Sequence, residues 1–241
     1  IHKLKMKKLK VGVLGCANIA KRSVIPAILT IPEFELIAIA SRKKEKAEEF
    51  ASNFNCEAVV GYQELLNRSD IDVIYMPLPT GLHEEWVMKA LEAGKHILIE
   101  KSLAMEYNSA KKMVEKAKEK GLLIMENFMF LYHGQHQFVK NLIEDDKIGE
   151  IRCFRSSFGF PPLQDDNFRY NKELGGGALL DAAAYTIRVS QLFLGKELTV
   201  KAANLNHENS EVDLWGGAYL KSKSGLFSEV AFGFDNFYQC N

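Results

Sequence analysis

From Leu9 to about Met125, short runs of β-branched and aliphatic residues alternate with helical patterns, and this alternation constrains the fold more than any other feature of the chain. The strand-like runs are KVGVLG, FELIAIAS, EAVV, DVIYMP, HILIE and LLIM. Between them, ANIAKRSVIPAIL, KEKAEEFASNF, YQELLNR, HEEWVMKALEAG and NSAKKMVEKAKEKG carry helical spacing. Regular alternation implies mostly parallel strands joined by crossover helices that cover both faces of the sheet. The expectation is an α/β, doubly wound domain over residues 1–125.

Beyond residue 126 the rhythm changes. HQFVKNLIEDD reads as a helix, EIRCFRSSFGF as a strand and GGGALLDAAAYTIR as a helix opened by three glycines. LTVKAANLNH, DLWGGAYLKS and LFSEVAFGFD read as long strands, with SKSG a hairpin connection between the last two. Strands without regular crossovers predict a mostly antiparallel sheet in an α+β domain over residues 126–241. NFYQCN reads as the entry into one more strand.

Charge narrows the function classes. The 31 Lys and Arg balance 31 Asp and Glu, so no net field draws the chain to nucleic acid or an anionic membrane. The basic run KLKMKKLK is expected to be a solvated end, with Met6 a natural start. No apolar run approaches the roughly 20 residues of a membrane helix, and the N-terminus lacks a signal-peptide core. Cys16, Cys56, Cys153 and Cys240 form no CxxC pair, which argues against a zinc knuckle or disulfide frame and for a reducing cytoplasm.

The first strand runs into VGVLGCANIA, where a dinucleotide site places its glycine-rich turn. Aligned on GxGxxG, the positions are Gly15, Ala17 and Ala20. Gly15 can make the tight turn, Ala17 is small enough for a pyrophosphate to approach, and Ala20 permits close helix–strand packing; Asn18 and Ile19 complete the expected contact segment. The second strand ends in Ser41 and Arg42, with no Asp or Glu for ribose hydroxyls. A guanidinium beside a hydroxyl suits a ribose 2′-phosphate, so NADP is the expected cofactor and NAD the alternative. Pro77, Leu78, Pro79 and Thr80 are expected to shape the cofactor wall, with His83 either a contact or a packing residue. Glu100 and Lys101 end another strand at the same sheet edge, and Lys101 is the stronger functional candidate.

Taken together, VGVLGCANIA, the SR after the second strand, YMPLPTGLHEEWVMKALEAGKHILIEK and GGGALLDAAAY resemble the glucose-fructose oxidoreductase, inositol dehydrogenase and MocA family. The resemblance covers nearly the whole chain. It implies an N-terminal Rossmann domain and a C-terminal open-faced sheet domain often used in oligomerisation, hence a homo-oligomer. Lys101 matches the lysine of the family's EKP motif, and Tyr185 matches a position that is histidine in inositol-dehydrogenase-like members and tyrosine in others. Tyrosine points to the branch holding nucleotide-sugar 3-ketoreductases and dihydrodiol dehydrogenases; GCANIA, ENFMF and LGGGALLDAAAYTIR look nearest the former. Two departures are Ser102, where the family usually has proline, and a chain that stops before such a sheet domain is complete, so the sheet is expected to be truncated or finished by another subunit.

Such an enzyme moves a hydride at carbon and a proton at oxygen. Tyr185 supplies the acid or base and Lys101 a positive charge. Asp181 lies four residues before Tyr185, on the same helical face, with Arg188 a turn further. Asp181 is expected either to pair with a neighbouring cation or to hold a substrate hydroxyl; Arg169 and Tyr170 are further substrate candidates. His133 and His136 of HGQH read as structural, and no metal is expected. The glycines at 175–177 are expected to let the helix approach the cofactor closely, leaving the phosphate turn to Gly15. The function expected is an NADP-dependent oxidoreductase interconverting a ketone and a secondary alcohol on a sugar or nucleotide-linked sugar. The alternatives are a dihydrodiol or free-sugar dehydrogenase of the same fold, and a non-catalytic dinucleotide-sensing regulator.

Overall fold

The computed structural model describes residues 7–207 and 209–241, so the expectations for Met6 and the residues before it lie outside the described chain. The chain divides into two compact units, Ile1–Asn127 and Phe128–Asn241.

The first unit is built on strands β1 (Leu9–Leu14), β2 (Phe34–Ser41), β3 (Glu57–Val60), β4 (Val73–Met76), β5 (His96–Ile99) and β6 (Ile124–Glu126). They form one sheet in the order β3-β2-β1-β4-β5-β6, and every pair is parallel. The order reverses between β1 and β4, which is where an open α/β sheet opens a crevice at its carboxyl edge. Parallel strands buried on both faces need apolar side chains in both directions, and Val13, Leu14, Ile39, Ile74, Tyr75, Met76 and Ile99 are all fully buried. One face packs with Tyr62, Leu65 and Leu66 of α3 (Tyr62–Leu66), Val87, Ala90 and Leu91 of α4 (His83–Glu92), and Met113 and Ala117 of α5 (Tyr107–Glu119). The other packs with Ile25 and Ile28 of α1 (Ile25–Thr30) and Phe50 of α2 (Lys44–Ser52).

A π-helical turn, Ala20–Val24, leads into α1. The N–H of Ile25 reaches back to the carbonyl of Ala20, and Pro26 next to it has no N–H to restore four-residue spacing. This widening was not in the sequence pattern.

The second unit contains α6 (Gly134–Glu144), α7 (Ala184–Leu194) and strands β7 (Cys153–Gly159), β8 (Leu198–Asn206), β9 (Trp215–Ser222), β10 (Phe227–Gly233) and β11 (Gln239–Cys240). The sheet order is β11-β7-β10-β9-β8. Three pairs are antiparallel and β10 with β7 is parallel, so the sheet is mixed. The β9–β10 hairpin turns at Gly225, and the terminal segment does enter a strand, pairing Gln239 with Gly159. One face of the sheet buries Leu220, Val230 and Phe232 beneath Ala178, Ala182 and Ala183 of the helix above. Val200 is 60% exposed and Trp215 and Tyr219 each 37%, so the sheet also shows apolar side chains to solvent. Among the described residues no helix is long and apolar enough to cross a membrane.

Candidate active site

In the first unit the candidate residues collect at the carboxyl ends of β1, β2, β4 and β5. Gly15 donates its N–H to the carbonyl of Ala40 at 3.0 Å and takes φ +124°, a conformation that side-chain-bearing residues rarely adopt. A Cβ there would lie 2.9 Å from Leu78 Cδ2, so only glycine lets the turn after β1 lie against the loop after β4. Ala17, whose carbonyl accepts from Lys21 at 3.3 Å, then opens the helix, with Asn18 exposed and Ile19 packed against the core.

At the end of β2, Ser41 points inward and its hydroxyl accepts from Lys43 N–H at 3.2 Å, while Arg42 is exposed. The Tyr62 ring stands edge-on to Trp86 at 5.1 Å. Burial pushes the Tyr62 pKa up and Arg42 pulls it back. Tyr62 is a site residue that the sequence does not announce, because α3 meets β2 only in the fold.

Glu100 Oε1 accepts from the Tyr75 hydroxyl and from Asn127 Nδ2, each at 2.8 Å. Burial and the adjoining carboxylate push the Tyr75 pKa well above the usual tyrosine range. The Lys101–Ser102 peptide bond is cis. Leu103 N–H then donates to Glu126 Oε1 at 2.7 Å.

His83 was expected as either a cofactor contact or a packing residue. The residue is fully buried; Nε2 lies 2.8 Å from the carbonyl of Leu78, and Nδ1 lies 3.0 and 3.1 Å from those of Ser102 and Leu103. Both ring nitrogens face main-chain carbonyls, which is the arrangement of a packing residue. Burial pushes its pKa down, against the opposing pull of the carbonyls and Glu100.

In the second unit Gly176 and Gly177 are a close-packing device. A Cβ on Gly176 would run into the carbonyl oxygen of Arg169, and one on Gly177 into Asp213 Oδ1. Gly177 N–H donates to that same Arg169 carbonyl at 2.9 Å, and Gly176 N–H to the carbonyl of Asn171 at 2.9 Å. Beyond them, Ala178 N–H donates to the Asp213 carbonyl at 2.8 Å and Leu179 N–H to Asp213 Oδ2 at 2.6 Å. Asp213 thus satisfies the first donors of the helix that carries Asp181 and Tyr185. Burial raises its pKa, and the N–H groups that it accepts act in the opposite sense. No local signal in the sequence marks Asp213, which lies 34 residues from Leu179.

Asp181 sits in a second π turn, Leu179–Ala183, that gives way to α7 just before Tyr185. Its Oδ2 accepts from Arg169 Nε at 2.7 Å, and the Arg169 guanidinium lies 4.7 Å over the Phe168 ring. Two sequence candidates are therefore brought together, and the ion pair expected for Asp181 forms. Arg188 instead donates to Gln191 at 3.2 Å. The Tyr170 hydroxyl accepts from Leu163 N–H at 2.9 Å and fixes the loop before Arg169. The Tyr185 ring is framed by Phe158, Phe130 and Phe128, with centroids at 4.9, 5.8 and 6.0 Å. His133 accepts from Gln135 N–H at the start of α6, and His136 packs between Phe130 and Phe193.

Residues 9–128 match the model of an oxidoreductase family with an NAD-binding Rossmann fold, and residues 136–240 match the GFO/IDH/MocA C-terminal domain. The chain belongs to the GFO/IDH/MocA oxidoreductases. Within this family it is 48% identical over 235 residues to a dTDP-3,4-didehydro-2,6-dideoxy-alpha-D-glucose 3-reductase of Saccharopolyspora spinosa, covering 97% of this chain and 70% of the relative. A crystal structure of a 3-ketoreductase from Actinomadura kijaniata, in complex with NADP and TDP-benzene, superposes with TM-score 0.95 at 44% identity, covering 97% of this chain and 72% of that one. A trans-1,2-dihydrobenzene-1,2-diol dehydrogenase of Xenopus laevis is a more distant relative, 33% identical over 204 residues, covering 83% of this chain and 61% of its own length.

Proposed function

We propose that the chain is an NADP-dependent 3-ketoreductase of nucleotide-linked deoxysugars. The observation that carries this reading is the 48% identity to a dTDP-sugar 3-reductase along 97% of the chain. Residues of the first unit suit the cofactor. Gly15 leaves room where a Cβ would close the turn, and Ser41 ends β2 with Arg42, Lys43 and Lys44 after it and no carboxylate among them. A bound nicotinamide dinucleotide would supply the hydride. Gly15, Ala17, Asn18 and Ile19 would hold its pyrophosphate, Ser41 and Arg42 its 2′-phosphate, and Pro77, Leu78 and Pro79 its wall. Glu100 serves by fixing the segment that leads into Lys101.

In this reading Tyr185 donates a proton to the ketone oxygen, and Lys101 contributes positive charge to the reaction. Tyrosine alone is a weak acid with a pKa near 10, and a neighbouring cation favours its phenolate, which eases proton exchange near neutral pH. Arg169 and Asp181, already joined, orient substrate hydroxyls, while Tyr170 holds the loop behind them. The exposed apolar side chains of the second sheet suit a homo-oligomeric contact. A reducing cytoplasm suits four cysteines that are all free thiols.

The diol dehydrogenase relative favours one rival, oxidation of a dihydrodiol or free sugar. A panel assay separates them: NADPH oxidation with nucleotide-linked 3-keto-deoxysugars and free keto-sugars, and NADP reduction with dihydrodiols. Fastest turnover of the nucleotide-linked ketone is expected. Preference for diols or free sugars would establish the rival, and NADPH binding without turnover of any substrate would indicate a dinucleotide-sensing regulator.

A further inference from the structure

Two loops that the proposed reaction depends on meet at one imidazole. His83 opens α4, and its ring reaches the loop after β4 through Leu78 and the loop after β5 through Ser102 and Leu103. Leu78 in turn backs Gly15, and Ser102 directly follows Lys101. The loop after β5 is also tied on its other side, by Glu126 to Leu103 and by Tyr75 and Asn127 to Glu100. Buried carbonyls need a donor, and a rigid ring supplies one with little conformational freedom to lose.

We propose that His83 is a positioning residue for Lys101, its Nδ1 side holding the carbonyls of Ser102 and Leu103 so that the segment after Lys101 is fixed to the head of α4. The assignment rests on the reading that Lys101 contributes positive charge to the reaction. The amide of asparagine reaches about as far as Nδ1 and keeps the tie to Ser102 and Leu103. The amide of glutamine reaches about as far as Nε2 and keeps only the tie to Leu78.

The test uses the full chain with NADPH and the keto-sugar it turns over fastest, and compares His83→Asn, His83→Gln, Lys101→Ala and the two double variants. His83→Gln is expected to lower kcat about ten- to a hundredfold, the scale of a small misplacement of a reacting group. His83→Asn should stay within about threefold, NADPH Kd should hardly move in either, and in the Lys101→Ala background His83→Gln should cost nothing further, as coupled residues require. Equal losses for Asn and Gln, or the same loss with and without Lys101, would overturn the proposal in favour of a purely structural role. Failure of both His83 variants to fold would do the same. A fully active Lys101→Ala would instead remove Lys101 from the reaction, and the role of His83 with it.

Discussion

At the scale of single residues, the proposed function makes cofactor choice turn on Arg42. The sequence places it after the second strand without an acidic neighbour, and the structure places Tyr62 near enough for Arg42 to lower the tyrosine's pKa against the effect of burial. Charge-assisted hydrogen bonds to a 2′-phosphate contribute about 1.5 to 3 kcal/mol, so Arg42→Ala should weaken NADPH binding roughly ten- to a hundredfold and leave NADH nearly unchanged. Titration of both cofactors checks this, and equal loss for the two would contradict it. The place of Arg42 after a strand was legible, because it depends only on local pattern. Tyr62, Asn127 and Asp213 were not, since each acts on a residue that only folding brings near. His83 was half legible: its position at the head of α4 pointed to the cofactor edge, but its burial against three carbonyls did not show.

Elements were easier to read where their signal is local. The parallel sheet of the first unit followed from strand–helix alternation, and the β9–β10 hairpin from SKSG between two strand patterns. The two π turns were not legible, because a one-residue widening hardly alters an apolar pattern. Nor was the parallel pairing of β7 with β10, which joins Cys153 to Phe227 across a long stretch of chain. The glycines before the second π turn carry a prediction for the whole helix. A methyl at Gly176 meets backbone rather than a flexible side chain, so the Arg169 loop must shift. Gly176→Ala should lower stability by about 1 to 3 kcal/mol, the usual cost of overpacking, and reduce kcat more than NADPH affinity. Thermal unfolding and cofactor titration measure the two effects, and an unchanged midpoint would refute the close-packing role.

Across the whole molecule, the proposed function divides chemistry between two units with separate cores. The first carries the glycine turn, the Ser41–Arg42 pair and Lys101; the second carries Arg169, Asp181 and Tyr185 on and before a helix anchored by Asp213. The GFO/IDH/MocA family was readable from motifs in both units, whereas the aromatic frame of Tyr185 depends on β7 and on Phe128 and Phe130, segments remote from it in sequence. The central claim is that Tyr185 delivers the proton in ketone reduction. The measurement that addresses it most directly is turnover of NADPH with a nucleotide-linked keto-deoxysugar by Tyr185→Phe, alongside NADPH titration of the same variant. Turnover should fall roughly 10² to 10⁴-fold with cofactor affinity intact, as expected for loss of a general acid. Turnover equal to that of the unaltered chain would contradict the account and assign the proton to another donor.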